Sequence, residues 1–346
     1  MFYITMPTVR KLKKTTSPAL LPAVTALSPS ELGDAARKAA EEILVAGQAE
    51  NTLISYRSAM RYWCAWAQLR YGTPLALPVQ VPVVVQFLVD HIARGSLDAP
   101  VSELPKAIDK LMVESGLKGR PGPLKMSTVV HRMAVLSKLH QLRRKTNPCE
   151  DPQVRHLLST AKRAASKRGE AEAKKTAATK EPLEAMLATC DDSLEGARDR
   201  AILLFGWASG GRRRSEIAAA MVEQLTKVGD QGYLFRLTRS KTNQEGADQP
   251  AKPIRGKAAD ALRIWLDRSE INSGMIFRRL WKGRLGPALS PAAIAAVVKK
   301  RARLAGIEGD WGGHSLRSGF VTEAGKRNIP IGDVMAMTDH RKVDTV

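Results

Sequence analysis

Five residues stand apart in this chain by type and spacing: Arg213, Lys241, His314, Arg317 and His340. Each is a cation or a hydrogen-bonding ring, and together they suit the holding of a phosphate. Arg213 lies in Gly210-Gly211-Arg212-Arg213-Arg214-Ser215-Glu216-Ile217, where a helix resumes after a glycine break. The first turn of a helix already favours anions. A guanidinium placed there adds two parallel hydrogen bonds to a phosphate at a fixed angle. Glu216, one turn later, is placed to hold Arg213. In Gly313-His314-Ser315-Leu316-Arg317 a histidine and an arginine lie three apart, on one side of a helix turn, so both can reach one phosphate. His314 has an ordinary pKa near neutrality and suits proton transfer. Lys241, in Ser240-Lys241-Thr242, ends a strand-like stretch, and His340 follows Thr338-Asp339. Taken singly, three adjacent arginines or an H-x-x-R pair describe a solvated basic face. The combination, in this order, carries the reading.

Composition points to the same class of partner. The formal net charge is +21, from 55 Lys and Arg against 34 Asp and Glu. Such an excess attracts polyanions over long range, nucleic acid first among them; Arg212 and Arg214 are expected to face DNA or solvent. At 346 residues and 44% hydrophobic content, the chain is long enough for two domains with ordinary cores. The three cysteines, Cys64, Cys149 and Cys190, are far apart. They form neither a disulfide framework nor a zinc motif, and Cys64 sits in an apolar helical run that reads as core. No Asp/Glu cluster has metal-ligand character. No apolar stretch reaches membrane-spanning length, and the N-terminus has the wrong order for a secretory signal. A reducing, cytoplasmic location is expected.

The elements that must position these residues fall into four stretches. Residues 1–36 read as a basic flexible arm, with a helical stretch opening at Ser30-Glu31-Leu32 and reaching about Gln48. Residues 37–165 read as all-helical. One helix is capped at Asn51-Thr52 and runs through Leu53, Tyr56, Met60, Trp63, Ala67 and Leu69. A second spans Val83 to Ala93 after Pro82, and a third covers Ser127 to Arg143, with Val130, Met133, Ala134, Ser137 and His140-Gln141 on successive turns. A fourth starts at Asp151-Pro152 and ends near Lys167. Residues 166–180 read as a basic linker with almost nothing to bury. In residues 181–346 an apolar helix from Leu194 to Ala208 ends at Gly210-Gly211. Tyr233 to Arg239 alternates as a strand, with Ala251 to Arg255 as its partner. Helices are expected over 257–268, 290–305, 314–327 and 330–338.

The R-x-S-E motif at Arg213–Glu216, Lys241, the H-x-x-R motif at His314–Arg317 and the final His340 resemble the active site of the tyrosine site-specific recombinases, the phage integrase family. The resemblance implies a mainly α fold with a small antiparallel β-sheet. A helical SAM-like core-binding domain would occupy residues 37–165, and a mixed α+β DNA breaking–rejoining catalytic domain residues 181–346. It also implies site-specific recombination or integration of double-stranded DNA by metal-free transesterification, through a 3′-phosphotyrosyl intermediate, with no cofactor. In that chemistry Lys241 protonates the leaving 5′ oxygen, Arg213 and Arg317 grip the scissile phosphate, and His340 donates to a non-bridging oxygen. Protomers would assemble as a tetrameric synapse on DNA. One departure is Asp339, which stands where the family's Gly-His motif has glycine. Another concerns the nucleophile. In the family a tyrosine follows the last histidine by about nine residues, which falls just past Val346, and no tyrosine occurs after Tyr233. The expectation is a sequence that stops short of its nucleophile and is inactive in cleavage. Tyr233 belongs to the strand, Tyr56, Tyr62 and Tyr71 read as core or DNA-facing rings, and His91, His131, His140 and His156 as packed or solvent-facing. Two alternatives remain open on sequence: a non-catalytic DNA-binding protein that keeps the phosphate pocket, and a type IB topoisomerase-like enzyme.

Overall fold

A computed structural model describes residue 38 and residues 50–170, 174–230, 232–237, 250–340 and 342–343. The arm expected over 1–36, the helix reaching Gln48, and Lys241 with its polar turn lie outside the described residues. The chain divides into two compact units, Met1–Ala171 and Glu172–Val346.

The first unit contains α1 (Glu50–Tyr71), α2 (Val81–His91), α3 (Lys106–Glu114), α4 (Met126–Leu142) and α5 (Pro152–Lys167). Aromatic rings build its core. Trp63 stacks on Phe87 with ring centroids 3.6 Å apart, and Trp66 meets the same ring edge-on at 5.1 Å. Such rings carry large apolar area into the core, and their polar edges need partners; Trp66 Nε1 donates to Asp90 Oδ2 at 3.0 Å. Asp151 caps α5 by accepting from Gln153 N at 2.9 Å, with Pro152 in the first turn.

Three expectations for this unit are corrected. Asn51 and Thr52 lie within α1, which already includes Glu50. Cys64 is exposed, because the helical phase that buries Tyr62, Trp63, Trp66 and Ala67 turns position 64 outward. The same phase leaves Leu69 exposed, and on α4 it buries Val129, Val135 and Leu136 while Ala134 and Gln141 face out. Nor is the unit all-helical: β1 (Arg94–Gly95) and β2 (Pro100–Val101) pair antiparallel. His91 and His140 are packed rings, and His140 Nε2 accepts from Val79 N at 3.0 Å.

The second unit is built around α7 (Leu194–Ala208), which follows α6 (Lys180–Ala188). Ser193 Oγ accepts from Gly196 N at 3.0 Å and fixes the start of α7. Then come α8 (Arg214–Ala218) and a three-stranded antiparallel sheet of β3 (Leu225–Lys227), β4 (Tyr233–Phe235) and β5 (Lys252–Ile254), with β4 in the middle. After α9 (Lys257–Ser269) a hairpin of β6 (Arg278–Trp281) and β7 (Arg284–Ala288) leads to α10 (Pro291–Leu304), α11 (Gly313–Lys326) and α12 (Ile331–Thr338). Phe205 of α7, Phe235 of β4 and Phe277 form the centre of the core, with centroids 4.9 and 5.4 Å from Phe205. A buried ion network crosses it: Asp199 accepts from Arg198 and from Arg301, each at 2.7 Å, and Arg301 also reaches Thr189 O.

The stretch read as a solvated linker is partly structural. Ala178 is fully buried and its N–H donates to Ser315 O at 2.9 Å. Small residues make this approach possible, since a Cβ at Gly319 would stand 2.0 Å from Ala178 O.

Candidate active site

The turn after α7 sets the geometry. Gly210 and Gly211 have φ of +94° and +66°, a region other residues rarely adopt. A Cβ at Gly210 would lie 2.1 Å from Met337 O, and one at Gly211 would lie 2.5 Å from Arg317 Cα. The glycines thus let the start of α8 press against both α11 and the end of α12.

Arg213 is the N-cap of α8. Glu216, buried on the next turn, accepts from Arg213 N at 3.0 Å and from its guanidinium at 2.7 Å. One carboxylate therefore closes the helix end and aims the side chain. Arg214 is exposed. Arg212, expected to face DNA or solvent, is fully buried and is corrected accordingly. It donates to Asp339 Oδ2 at 2.6 Å and to Met337 O, stands 3.8 Å from Glu216, and leaves its Nε without a partner. Gly211, in the left-handed region beside it, turns the chain so that consecutive arginines point to opposite fates.

Arg317 is buried on α11 and spends three of its five N–H groups on neutral acceptors. These are Gly211 O at 3.1 Å, Thr338 O at 2.6 Å and His340 Nε2 at 3.2 Å. Burial first, then Arg213 and Arg212, pull its pKa down to about 10. It remains charged at neutral pH, in a place that disfavours charge until an anion arrives. His314, three residues earlier, stands at the exposed rim. Desolvation, Arg317 and Arg213 lower its pKa, so the ring is neutral at pH 7.

The His340 ring has a definite tautomer. A guanidinium N–H can only donate, so Nε2 accepts from Arg317 and Nδ1 carries the proton. That proton goes to Thr338 Oγ1 at 2.8 Å, and the threonine hydroxyl in turn donates to Val334 O at 2.8 Å. Desolvation, then Arg317, Arg213 and Arg212, lower the His340 pKa to about 4. Before any phosphate is bound, His340 holds Arg317 and has no free donor.

Asp339 sits in the left-handed region at φ +57°, a conformation that glycine adopts freely and aspartate tolerates. Its second oxygen accepts from Lys252 Nζ at 2.8 Å, and that buried lysine also caps Ala336 O. The cluster therefore holds four cations, Arg212, Arg213, Lys252 and Arg317, against two carboxylates, Glu216 and Asp339. Arg213, His314, Arg317 and His340 lie together in this cluster. Arg212, Lys252, Thr338 and Asp339 complete the cluster, and of these only Asp339, where the Gly-His motif has glycine, carries a signal in the sequence. Among the described residues no group of three or more His, Cys, Asp or Glu could hold a metal ion, and no helix is long and apolar enough to cross a membrane.

A helical unit followed by this mixed unit, with two arginines and two histidines in a cluster holding more cations than carboxylates, is an architecture suited to an anion such as a phosphate. Residues 177–346, nearly the whole of this second unit, match the phage integrase family, so this unit is that of a tyrosine recombinase. An integrase/recombinase XerD homologue of Selenomonas ruminantium is 29% identical over 311 residues, covering 87% of this chain and 82% of that protein. Among solved structures, a lambda integrase tetramer bound to a Holliday junction superposes with a TM-score of 0.51 at 15% identity, covering 88% of this chain and 76% of that one. The Tn1549 transposon integrase in complex with transposon right end DNA gives 0.50 at 15% identity, with 88% and 91% covered. At these identities the structural likeness speaks for the fold.

Proposed function

We propose that this recombinase grips one phosphodiester of duplex DNA between Arg213, Arg317, His314 and His340, with Lys241 delivered by the segment between β4 and β5. The observation that carries the reading is Arg317: a buried guanidinium with only neutral acceptors, next to further cations, in a cluster with more positive than negative charge. A phosphate supplies the missing anion. Attack by a tyrosine hydroxyl builds negative charge on a five-coordinate phosphorus, and preorganised cations at that charge are usually the largest catalytic term. As the tyrosine oxygen bonds to phosphorus, the bond to the 5′ oxygen breaks and Lys241 protonates the leaving group. Neutral His314 is suited to receive the tyrosine proton. The covalent 3′-phosphotyrosyl link stores the bond energy, so strands rejoin without ATP or metal.

In the same reading, residues 37–165 are the core-binding domain, residues 181–346 the catalytic domain, and protomers act as a tetrameric synapse. This reading assigns the attack to none of the five tyrosines of residues 1–346; in its support Tyr62 is core, Tyr233 is half-buried in β4, and none follows it. The test uses residues 1–346 and a nicked suicide duplex. A non-covalent complex is expected, its affinity falling steeply with salt as counterions are released, and Arg317→Ala should weaken it by removing a phosphate contact. Salt-independent binding would overturn the phosphate grip. A denaturant-stable adduct would overturn the assignment of the nucleophile.

A further inference from the structure

The end of α12 gathers three cations from three different elements. Lys252 of β5 caps Ala336 O, Arg212 caps Met337 O, and Arg317 of α11 caps Thr338 O. Terminal helix carbonyls lack internal partners and carry the negative pole of the helix, so they attract cations. Two of these three cations share one further partner. Asp339 accepts from Arg212 through Oδ2 at 2.6 Å and from Lys252 through Oδ1 at 2.8 Å, and all three side chains are at most 9% exposed.

We infer that Asp339 is a positioning residue: its carboxylate occupies the anion place between Arg212 and Lys252, locks the end of α12 to the elements beside it, and so leaves Arg317 as the cation open to a phosphate. This rests on the phosphate reading above. The three tethered elements are those that carry the proposed chemistry. Arg212 is the chain neighbour of Arg213. Lys252 begins the strand that returns from the segment bearing Lys241. Asp339 itself precedes His340, the ring that accepts from Arg317. Two buried cations without Asp339 would repel each other and compete for the incoming anion. With it, each has a carboxylate oxygen within hydrogen-bond distance, and the competition is reduced. The left-handed backbone at position 339 has the same effect, since it points the carboxylate back under the helix end while the chain continues to His340.

The experiment follows inorganic phosphate binding to the full chain by NMR, reading the Arg317 Nε–H and the His340 ring. In the unaltered protein, phosphate shifts both signals. In Asp339→Asn, which keeps the shape and removes the charge, phosphate still binds the freed cations, but at least tenfold more is needed to shift Arg317 and His340. Adding Lys252→Met to Asp339→Asn leaves Arg212 with Glu216 as its counter-ion; the melting temperature recovers while the response at Arg317 does not. Should Asp339→Asn fail to fold, Lys252→Met alone, which spares the Arg212–Asp339 pair, should weaken the Arg317 response several-fold. An unchanged half-saturation at Arg317 and His340 in whichever of these variants folds would overturn the proposal. If phosphate shifts neither signal in the unaltered protein, the phosphate reading itself fails, and this inference falls with it.

Discussion

His340 should change its protonation when a phosphate arrives, and the free protein should reveal this through pH. In the structure Nε2 accepts from Arg317 and Nδ1–H is committed to Thr338. The ring can donate to a phosphate oxygen only if Nε2 gains a proton and the Arg317 Nε–H turns away, toward the same anion. The free ring has its pKa lowered to about 4 by desolvation and the three arginines, against an ordinary 6.5. The protein therefore binds this proton less readily when folded than when unfolded. Its contribution to stability is complete above pH 6.5 and is lost as the pH falls from 6.5 through 4. The interval corresponds to roughly 3 kcal/mol at 1.36 kcal/mol per decade. His340 is only half-buried, so solvent screening reduces this to about 1–2 kcal/mol. A bound phosphodiester reverses the balance, because its charge favours the imidazolium and cancels the arginines. By linkage, affinity for a short duplex should then rise about tenfold between pH 7 and pH 5 at constant ionic strength. NMR of histidine-labelled protein, titrated with and without duplex, follows the ring directly, and His340→Gln should remove its share of the pH dependence. A free-protein His340 that titrates near 6.5, or duplex affinity in which His340→Gln changes nothing between pH 7 and pH 5, would refute the reasoning.

Two further outcomes follow from the same geometry. Glu216→Gln removes the charge that aims Arg213 and faces Arg212, and breaking a buried pair of this kind costs about 3 kcal/mol. For a unit of this size that is roughly 6–12 °C in melting temperature, measurable by calorimetry; a fall under about 2 °C would mean that Glu216 is not the anchor described. Gly211→Ala places a Cβ 2.5 Å from Arg317 Cα at a φ of +66°, so both the backbone and α11 must shift. Stability should drop by about 2 kcal/mol or more, and the Arg317 Nε–H resonance should move, whereas an alanine variant with an unchanged Arg317 signal would show that the turn does not position that residue.

Much of the second unit is legible in the sequence because its signals are local. The end of α7 follows from Gly210-Gly211 and, in the first unit, the start of α5 follows from Asp151-Pro152. The pairing of Arg213 with Glu216 spans three residues within one helix turn, so R-x-S-E announces it. Two strands are legible as well: β4 and β5 fall within the alternating stretch from Tyr233 and its partner from Ala251, whereas β3, with three residues, is too short for a pattern to stand out. Cys64 shows a different failure, since an apolar neighbourhood tells which helix is buried but not which phase of it.

Arg212 marks the boundary of what local pattern can tell. It stands beside Arg213, has the same side chain, and belongs to a chain with 55 lysines and arginines. Nothing in its flanking residues separates the two. The difference is made by the backbone: Gly211, in the left-handed region, turns the chain so that residue 212 points under α12, while residue 213 takes the N-cap of α8 with its side chain held by Glu216. What then keeps Arg212 buried is a partner 127 residues away, Asp339, which shares its other oxygen with a lysine 87 residues away. A guanidinium buried this deeply is stabilised by such a counter-charge. The aspartate, where the motif that this chain resembles has glycine, is therefore the visible member of a three-residue arrangement. A buried charge at the tight turn before His340 needs compensation, and in this chain the compensation is two cations that no motif would select.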